Sequence, residues 1–244
     1  MPKKQLLIAH RGYSGIAPEN TKLAFDLAYE FNFDGIELDV HLTKDNRIVV
    51  IHDEDTKRTA GVDKIIANST LSQLYNDDHS LHFQLETRKQ RILTLEDFLD
   101  LYLDKFEVIN VELKTDQTEY IGIERVIDDL SIRYGKDFFD KIIFSSFNFS
   151  TLQRMFKLNS KYQLGFLFWT KTQLTSVSQK EIKQICKYLH PWIDLYDEEP
   201  AMIEAFGLPL NLWTLKSKAR YQKYLNNKHV YSQISNYKYS KDID

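Results

Sequence analysis

Two short runs of this sequence alternate acidic or polar residues with aliphatic ones. Glu37, Asp39 and His41 alternate with Ile36, Leu38 and Val40, and Asn110, Glu112 and Lys114 alternate with Ile109, Val111 and Leu113. The period of two in a β-strand sends each polar set to one face and each apolar set to the other. If helices cover the apolar faces, the carboxylates turn inward, where they repel one another and lose hydration. That is tolerated only beside a cation or cationic side chains. An exposed antiparallel strand with its polar face in water is the ordinary alternative for either run alone, and a second run of the same kind weakens it for both. Glu37, Asp39 and Glu112 would offer three hard oxygen ligands, a set suited to Mg2+ or Ca2+ with water and substrate oxygens completing the shell. Zn2+ would want more His or Cys. Lys114, on the Glu112 face, could hold a phosphate or pair with a carboxylate.

Two histidines end candidate strands, His10 in Ala9-His10-Arg11-Gly12 and His52 in Ile51-His52-Asp53. A single His in such a place is ordinarily structural, but two beside three carboxylates suggest more. An imidazole pair can divide phosphate-ester cleavage, one taking the nucleophile's proton and the other protonating the departing alkoxide. A metal would offset charge building on the phosphoryl oxygens. Arg11 has the planar fork that binds phosphate in a bidentate manner, or it is a plain ion-pair guanidinium. Gly12 would let the chain turn tightly after the strand.

The elements that must place these residues read as one α/β domain of 244 residues, long enough for a sizeable core. Thirty-two Lys+Arg against 35 Asp+Glu give a formal charge of -3, too balanced to suggest a nucleic-acid or anionic-membrane surface. No run approaches a membrane span, and the MPKKQLLIAH start lacks the apolar core of an export signal. On those two grounds the expectation is a cytoplasmic protein, which the single cysteine, Cys186, fits as it would also fit a secreted bacterial protein; oligomeric state is left open. Strands are expected at Leu6 to His10, Gly35 to His41, Ile48 to His52, Val108 to Leu113, Ile142 to Ser146, Gln163 to Phe168, Trp192 to Tyr196, Leu210 to Thr214 and Val230 to Ile234. Helices are expected between most of them, one capped by Asn20 and one by Thr94. Alternating strands and helices over this length imply a (β/α)8 barrel, with a doubly wound sheet as the alternative.

That scheme has two irregularities. Nine strand candidates exceed the eight of a barrel, and too few residues separate Val40 from Ile48 for a parallel crossover. A hairpin turning at Lys44 to Arg47 would pair Thr43 with Ile48 and set Asp39 opposite His52. The long polar segment 53–91, after the His52 strand, is expected to be an insertion within the barrel and a possible lid over the site.

With these residues assembled, the sequence resembles the glycerophosphodiester phosphodiesterase family. The carrying segments are IAHRGYSGIAPENT (Ile8 to Thr21), FDGIELDVHLTKDNRIVVIHD (Phe33 to Asp53), ILTLEDFL (Ile92 to Leu99), NVELK (Asn110 to Lys114), SSF (Ser145 to Phe147) and LWT (Leu212 to Thr214). The resemblance implies an irregular (β/α)8 barrel, a divalent cation, and hydrolysis of small-molecule glycerophosphodiesters to glycerol 3-phosphate and an alcohol. By that resemblance His10 and His52 are the acid/base pair, Glu37, Asp39 and Glu112 the metal ligands, and Arg11 and Lys114 the phosphate contacts. Glu19 and Asn20 give polar support, and Phe147 and Trp213 wall the glycerol side. The family usually closes with a Gly-Val-Asp-Gly-Ile-Ile-Thr-Asp strand, where this chain reads NKHVYSQISN over residues 227–236, and Lys216 stands where an Asn is usual. Two other functions fit the same plan: a lysophospholipase D-like hydrolase with an apolar groove near Leu164 to Trp169, and a non-catalytic phosphoglycerol-binding barrel.

Overall fold

A computed structural model of the chain describes residues 5–83 and 88–239. Its ten strands are β1 (Leu6–Ala9), β2 (Gly35–Leu42), β3 (Ile48–Val50), β4 (Leu93–Thr94), β5 (Val108–Leu113), β6 (Ile142–Ser146), β7 (Gln163–Phe168), β8 (Tyr188–Pro191), β9 (Leu210–Leu215) and β10 (Val230–Ser235). Eight of them, β1, β2 and β5 to β10, pair side by side in parallel, and the β1–β2 and β1–β10 pairings close the ring. This is the irregular (β/α)8 barrel, not the doubly wound sheet. Outward-facing aliphatics of the strands pack on the helices as the main core, while Leu6, Ile8, Val108, Ile143 and Ile234 form a separate apolar plug.

The strand excess resolves in two ways. Ile48 to Val50 is not a stave: β3 runs antiparallel on the far half of β2, and β4 lies against β3. Trp192 to Tyr196, expected as a strand, is instead the start of a helix over Ile193–Glu198; the stave lies just before it, at β8. Ile193, Leu195 and Tyr196 are all buried there, and so short an apolar run cannot be told as helix or strand from periodicity alone. The β8 stave gave little apolar signal because its inward residue is His190 and it ends on Pro191.

The β2–β3 hairpin exists but its register differs by one residue from the expectation. Val40 faces Val50 and Leu42 faces Ile48, and Ile51 N–H donates to the Asp39 carbonyl at 3.0 Å. The turn is shorter than a Lys44 to Arg47 loop: Thr43 N–H donates to Arg47 O at 2.9 Å, closing a three-residue loop in which Asn46 takes φ 58°. Asn tolerates that left-handed position at little cost, and the bulge it makes shifts the pairing.

Helix α1 (Lys22–Glu30) is capped by Thr21, whose hydroxyl accepts from Ala24 N–H, and not by Asn20. Thr94 caps α2 (Leu95–Tyr102) as expected, in a reciprocal box with Asp97. Between β3 and β4, the described part of segment 53–91 holds two short helices, Lys57–Ala60 and Leu71–Leu74, and a 3-10 turn at Ile66–Asn68. Residues 84–87 of that segment lie outside the described residues. No helix among the described residues is long and apolar enough to cross a membrane.

Candidate active site

Strands β2 and β5 are neighbours in register, so Glu37 sits beside Asn110 and Asp39 beside Glu112. Glu37, Asp39 and Glu112 each bring one carboxylate oxygen into a group whose members all lie within 4.8 Å of one another, the one cluster of metal-ligating type among the described residues. Glu37 and Asp39 are almost wholly buried. Burial, and then the charges of Asp39 and Glu112, push the Glu37 carboxyl well above its ordinary value. Burial likewise raises Glu112, partly offset by Lys114. Asp39 is also buried, but Arg11, His52 and Lys114 outweigh that and hold it below the usual carboxylate range. Two of three carboxyls that resist ionisation mark a site short of positive charge, and Asp39 Oδ1 is buried without a hydrogen-bond partner among the described residues. The residues present therefore fit a hard divalent cation.

Arg11 and Lys114 face this cluster. Arg11 takes φ 54° and Gly12 φ 76° directly after β1, a turn that needs glycine because a Cβ at Gly12 would stand 2.8 Å from the Ala24 carbonyl carbon. The turn brings Arg11 N–H to Glu37 Oε2 at 2.8 Å, its Nε to 3.2 Å from Asp39 Oδ2 and its Nη1 to Glu19 Oε1 at 3.0 Å. Lys114 Nζ donates to Glu112 Oε1 at 3.0 Å and lies 3.4 Å from His52 Nε2. Asn20 Nδ2 donates to Asp39 Oδ2 at 2.9 Å, so the residue expected to cap a helix instead holds a carboxylate in place.

Both imidazoles approach the carboxylates, His10 at Glu37 and His52 by way of Lys114. His10 Nε2 is 3.9 Å from Glu37 Oε2, and its Nδ1–H donates to Asn236 Oδ1 at 2.6 Å, across the seam between β1 and β10. Burial, with Arg11 next to it, lowers the His10 pKa to about 4. His52 Nδ1–H donates to Asp53 Oδ1 at 2.7 Å, which leaves Nε2 to face Lys114. Arg58 clamps Asp53, Nε to Oδ2 at 2.6 Å and Nη2 to Oδ1 at 3.0 Å, and also reaches Glu19, Nη2 to Oε1 at 2.7 Å. Asp53 is consequently held well below the usual carboxylate range by His52 and Arg58, against the effect of burial.

Several of these partners were absent from the sequence reading. Asp53 follows His52 directly, and an acid beside a candidate acid/base histidine was a readable signal. Arg58 was not readable, because its contact depends on how the short helix at Lys57–Ala60 folds back. His41, on the polar face of β2, is buried with both ring nitrogens engaged: its Nε2 bonds the His52 carbonyl at 3.0 Å and its Nδ1 the Tyr120 hydroxyl at 2.8 Å. It steadies the chain that carries His52. Phe147 and Trp213 meet edge to face at 5.6 Å between ring centroids, and Trp169 joins them, 5.5 Å from Phe147 and 54% exposed. Lys114 Nζ lies 6.0 Å from the Phe147 ring, which ties this aromatic wall to the cationic side of the site.

The sequence model of the glycerophosphoryl diester phosphodiesterase family matches residues 10–236. This chain belongs to that family. A relative from Caldanaerobacter subterraneus, named glycerophosphodiester phosphodiesterase, is 34% identical over 88% of this chain and 87% of its own. The protein MG293 of Mycoplasma genitalium is 57% identical over the whole of both chains. Among solved structures, a phosphodiesterase of Oleispira antarctica in complex with sn-glycerol-3-phosphate superposes with a TM-score of 0.80 at 26% identity, covering 96% of this chain and 94% of its own. The chain is thus a glycerophosphodiester phosphodiesterase on a (β/α)8 barrel, and the residues described lie at the C-terminal ends of its strands, where such barrels carry their chemistry.

Proposed function

We propose that this enzyme hydrolyses small-molecule glycerophosphodiesters to glycerol 3-phosphate and an alcohol, using Mg2+ or Ca2+ held by Glu37, Asp39 and Glu112. The observation that carries this reading is the convergence of three carboxylates within 4.8 Å of one another, with His10 and, through Lys114, His52 at their edge. When bound, the cation supplies charge that the crowded carboxylates lack and offsets charge building on the phosphoryl oxygens. Arg11 and Lys114 orient the phosphate by donating to its remaining oxygens. His10 and His52 each present Nε2 to the site while Nδ1 is engaged, and one acts as base and the other as acid. Glu19 and Asn20 act through others, Glu19 by tying Arg11 to Arg58 and Asn20 by fixing Asp39. Phe147 and Trp213 exclude water beside the glycerol.

The chain reads as one barrel domain in which segment 53–91 is an insertion that covers one side of the site, since Arg58 from that segment reaches both Glu19 and Asp53. His52→Ala should abolish release of glycerol 3-phosphate from glycerophosphocholine in a coupled assay while circular dichroism stays unchanged; near-normal turnover would defeat the assignment. A lysophospholipase D-like activity is favoured by one feature, the half-exposed Trp169 extending the aromatic wall outward. Cleavage of detergent-dispersed lysolipids in preference to soluble diesters would establish it. A non-catalytic phosphoglycerol-binding barrel would give no reason to keep both imidazoles at hydrogen-bonded stations beside the carboxylates, and any metal-dependent turnover excludes it.

A further inference from the structure

Between the carboxylates and the apolar plug, part of the barrel interior is polar, where barrels of this kind usually stack branched aliphatic side chains. Asn110, Ser145, His190, Asn211 and Ser232 are all buried there. Ser232 Oγ donates to Asn211 Oδ1, Asn211 Nδ2 donates to His190 Nε2 at 2.8 Å, and Asn110 Nδ2 donates to Ser145 Oγ at 3.1 Å. After these bonds, His190 Nδ1 and Asn110 Oδ1 have no partner among the described residues. With Asn211 donating to Nε2, the ring proton sits on Nδ1, so the pair comprises one donor and one acceptor.

Both residues line the same pocket as Glu37 and Glu112. Asn110 precedes Glu112 by two residues on the same face of β5, one layer further from the mouth. The station of the His190 ring is built into the neighbouring strand: a Cβ at Gly165 would run into the imidazole. A buried donor or acceptor left unpaired costs about 1–3 kcal/mol, whereas a buried water wants two to four polar partners. A hard cation keeps several waters in its shell. His10, Leu167 and Trp213 line the same pocket, so this floor opens directly to the carboxylates.

We propose that His190 Nδ1–H and Asn110 Oδ1 hold a water of the divalent cation's shell, making both residues determinants of cation affinity that do not touch the cation. This rests on reading Glu37, Asp39 and Glu112 as its ligands. Two substitutions separate the pocket-facing nitrogen from the one that serves Asn211. The amide of His190→Gln reaches the Nε2 position and loses Nδ1; that of His190→Asn reaches the Nδ1 position and loses Nε2. In calorimetric titration of the substrate-free enzyme with Mn2+, the Gln variant should bind about 10- to 100-fold more weakly and the Asn variant within about threefold of the parent. Equal affinities for the two, or the reverse order, would overturn the inference. A parent enzyme that binds no Mn2+ would instead overturn the ligand assignment. Should either variant fail to fold, crystals of the parent with Mn2+ decide the matter: ordered water bonded to His190 Nδ1 and Asn110 Oδ1 supports the inference, and a dry floor sinks it.

Discussion

Asp53→Asn is a small change in shape with a large expected effect, because Arg58 dictates which way the new amide faces. In the parent, Arg58 donates to both Asp53 oxygens and His52 Nδ1–H donates to one of them. Asn offers one oxygen and one NH2. Arg58 can only donate, so it claims the oxygen and turns the NH2 towards His52. His52 Nδ1 must then accept, and the ring proton moves to Nε2, the nitrogen 3.4 Å from Lys114 Nζ. The lost charge-assisted bond is worth about 1.5–3 kcal/mol, or roughly 10- to 160-fold in rate. The His52 and Asp53 side chains are 30% and 25% exposed, so solvent screening places the loss in kcat at about 10- to 50-fold. KM and Mn2+ affinity should change little, since neither residue belongs to the carboxylate cluster. Steady-state release of glycerol 3-phosphate from glycerophosphocholine reads both constants. A kcat within about threefold of the parent would refute the tautomer argument.

Asn236 backs His10 with a neutral oxygen, so Asn236→Asp should raise the His10 pKa and carry the limb of the pH–rate profile that His10 governs to higher pH; an unmoved profile would show that His10 does not titrate in the reaction. Burial lowers His79 to about 4 and His190 to about 3, both from 6.5. The unfolded chain therefore binds protons before the folded one does, and stability is whole above pH 6.5 and declines as pH falls from there towards 4. The His79 shift alone corresponds to about 3 kcal/mol, and thermal unfolding followed across that window should show the decline; a flat Tm would contradict it. Gly165→Ala should destabilise the barrel by about 1–3 kcal/mol through overpacking against His190, measured by urea unfolding; a neutral effect would mean the ring is free to move.

What was legible in the sequence was alternation. Glu37 and Asp39 on β2, and Asn110, Glu112 and Lys114 on β5, are placed by backbone geometry alone, since a strand with helices on one side has only one other face to offer. The ends of strands were less legible. Asn20 and Thr21 are both good cap residues, and only the tertiary contact with Asp39 decides between them. The hairpin register turned on whether Asn46 adopts a left-handed conformation, which alternation does not encode. β8 was hidden because its inward position carries a polar ring and its neighbours include a proline. Arg58 and Asn236 were out of reach for a different reason: their partners, Asp53 and His10, meet them through packing of distant or irregular segments.

The bond from His10 to Asn236 joins residues at nearly opposite ends of the chain. His10 N–H is likewise paired with Ser235 O at 2.9 Å, and β1 finds its register on β10. One of the two imidazoles is therefore oriented by the last stave to be synthesised. A nascent or clipped polypeptide lacking that stave would keep Glu37, Asp39 and Glu112 but lose the bond that orients His10, so the arrangement proposed for turnover is complete only with the finished ring.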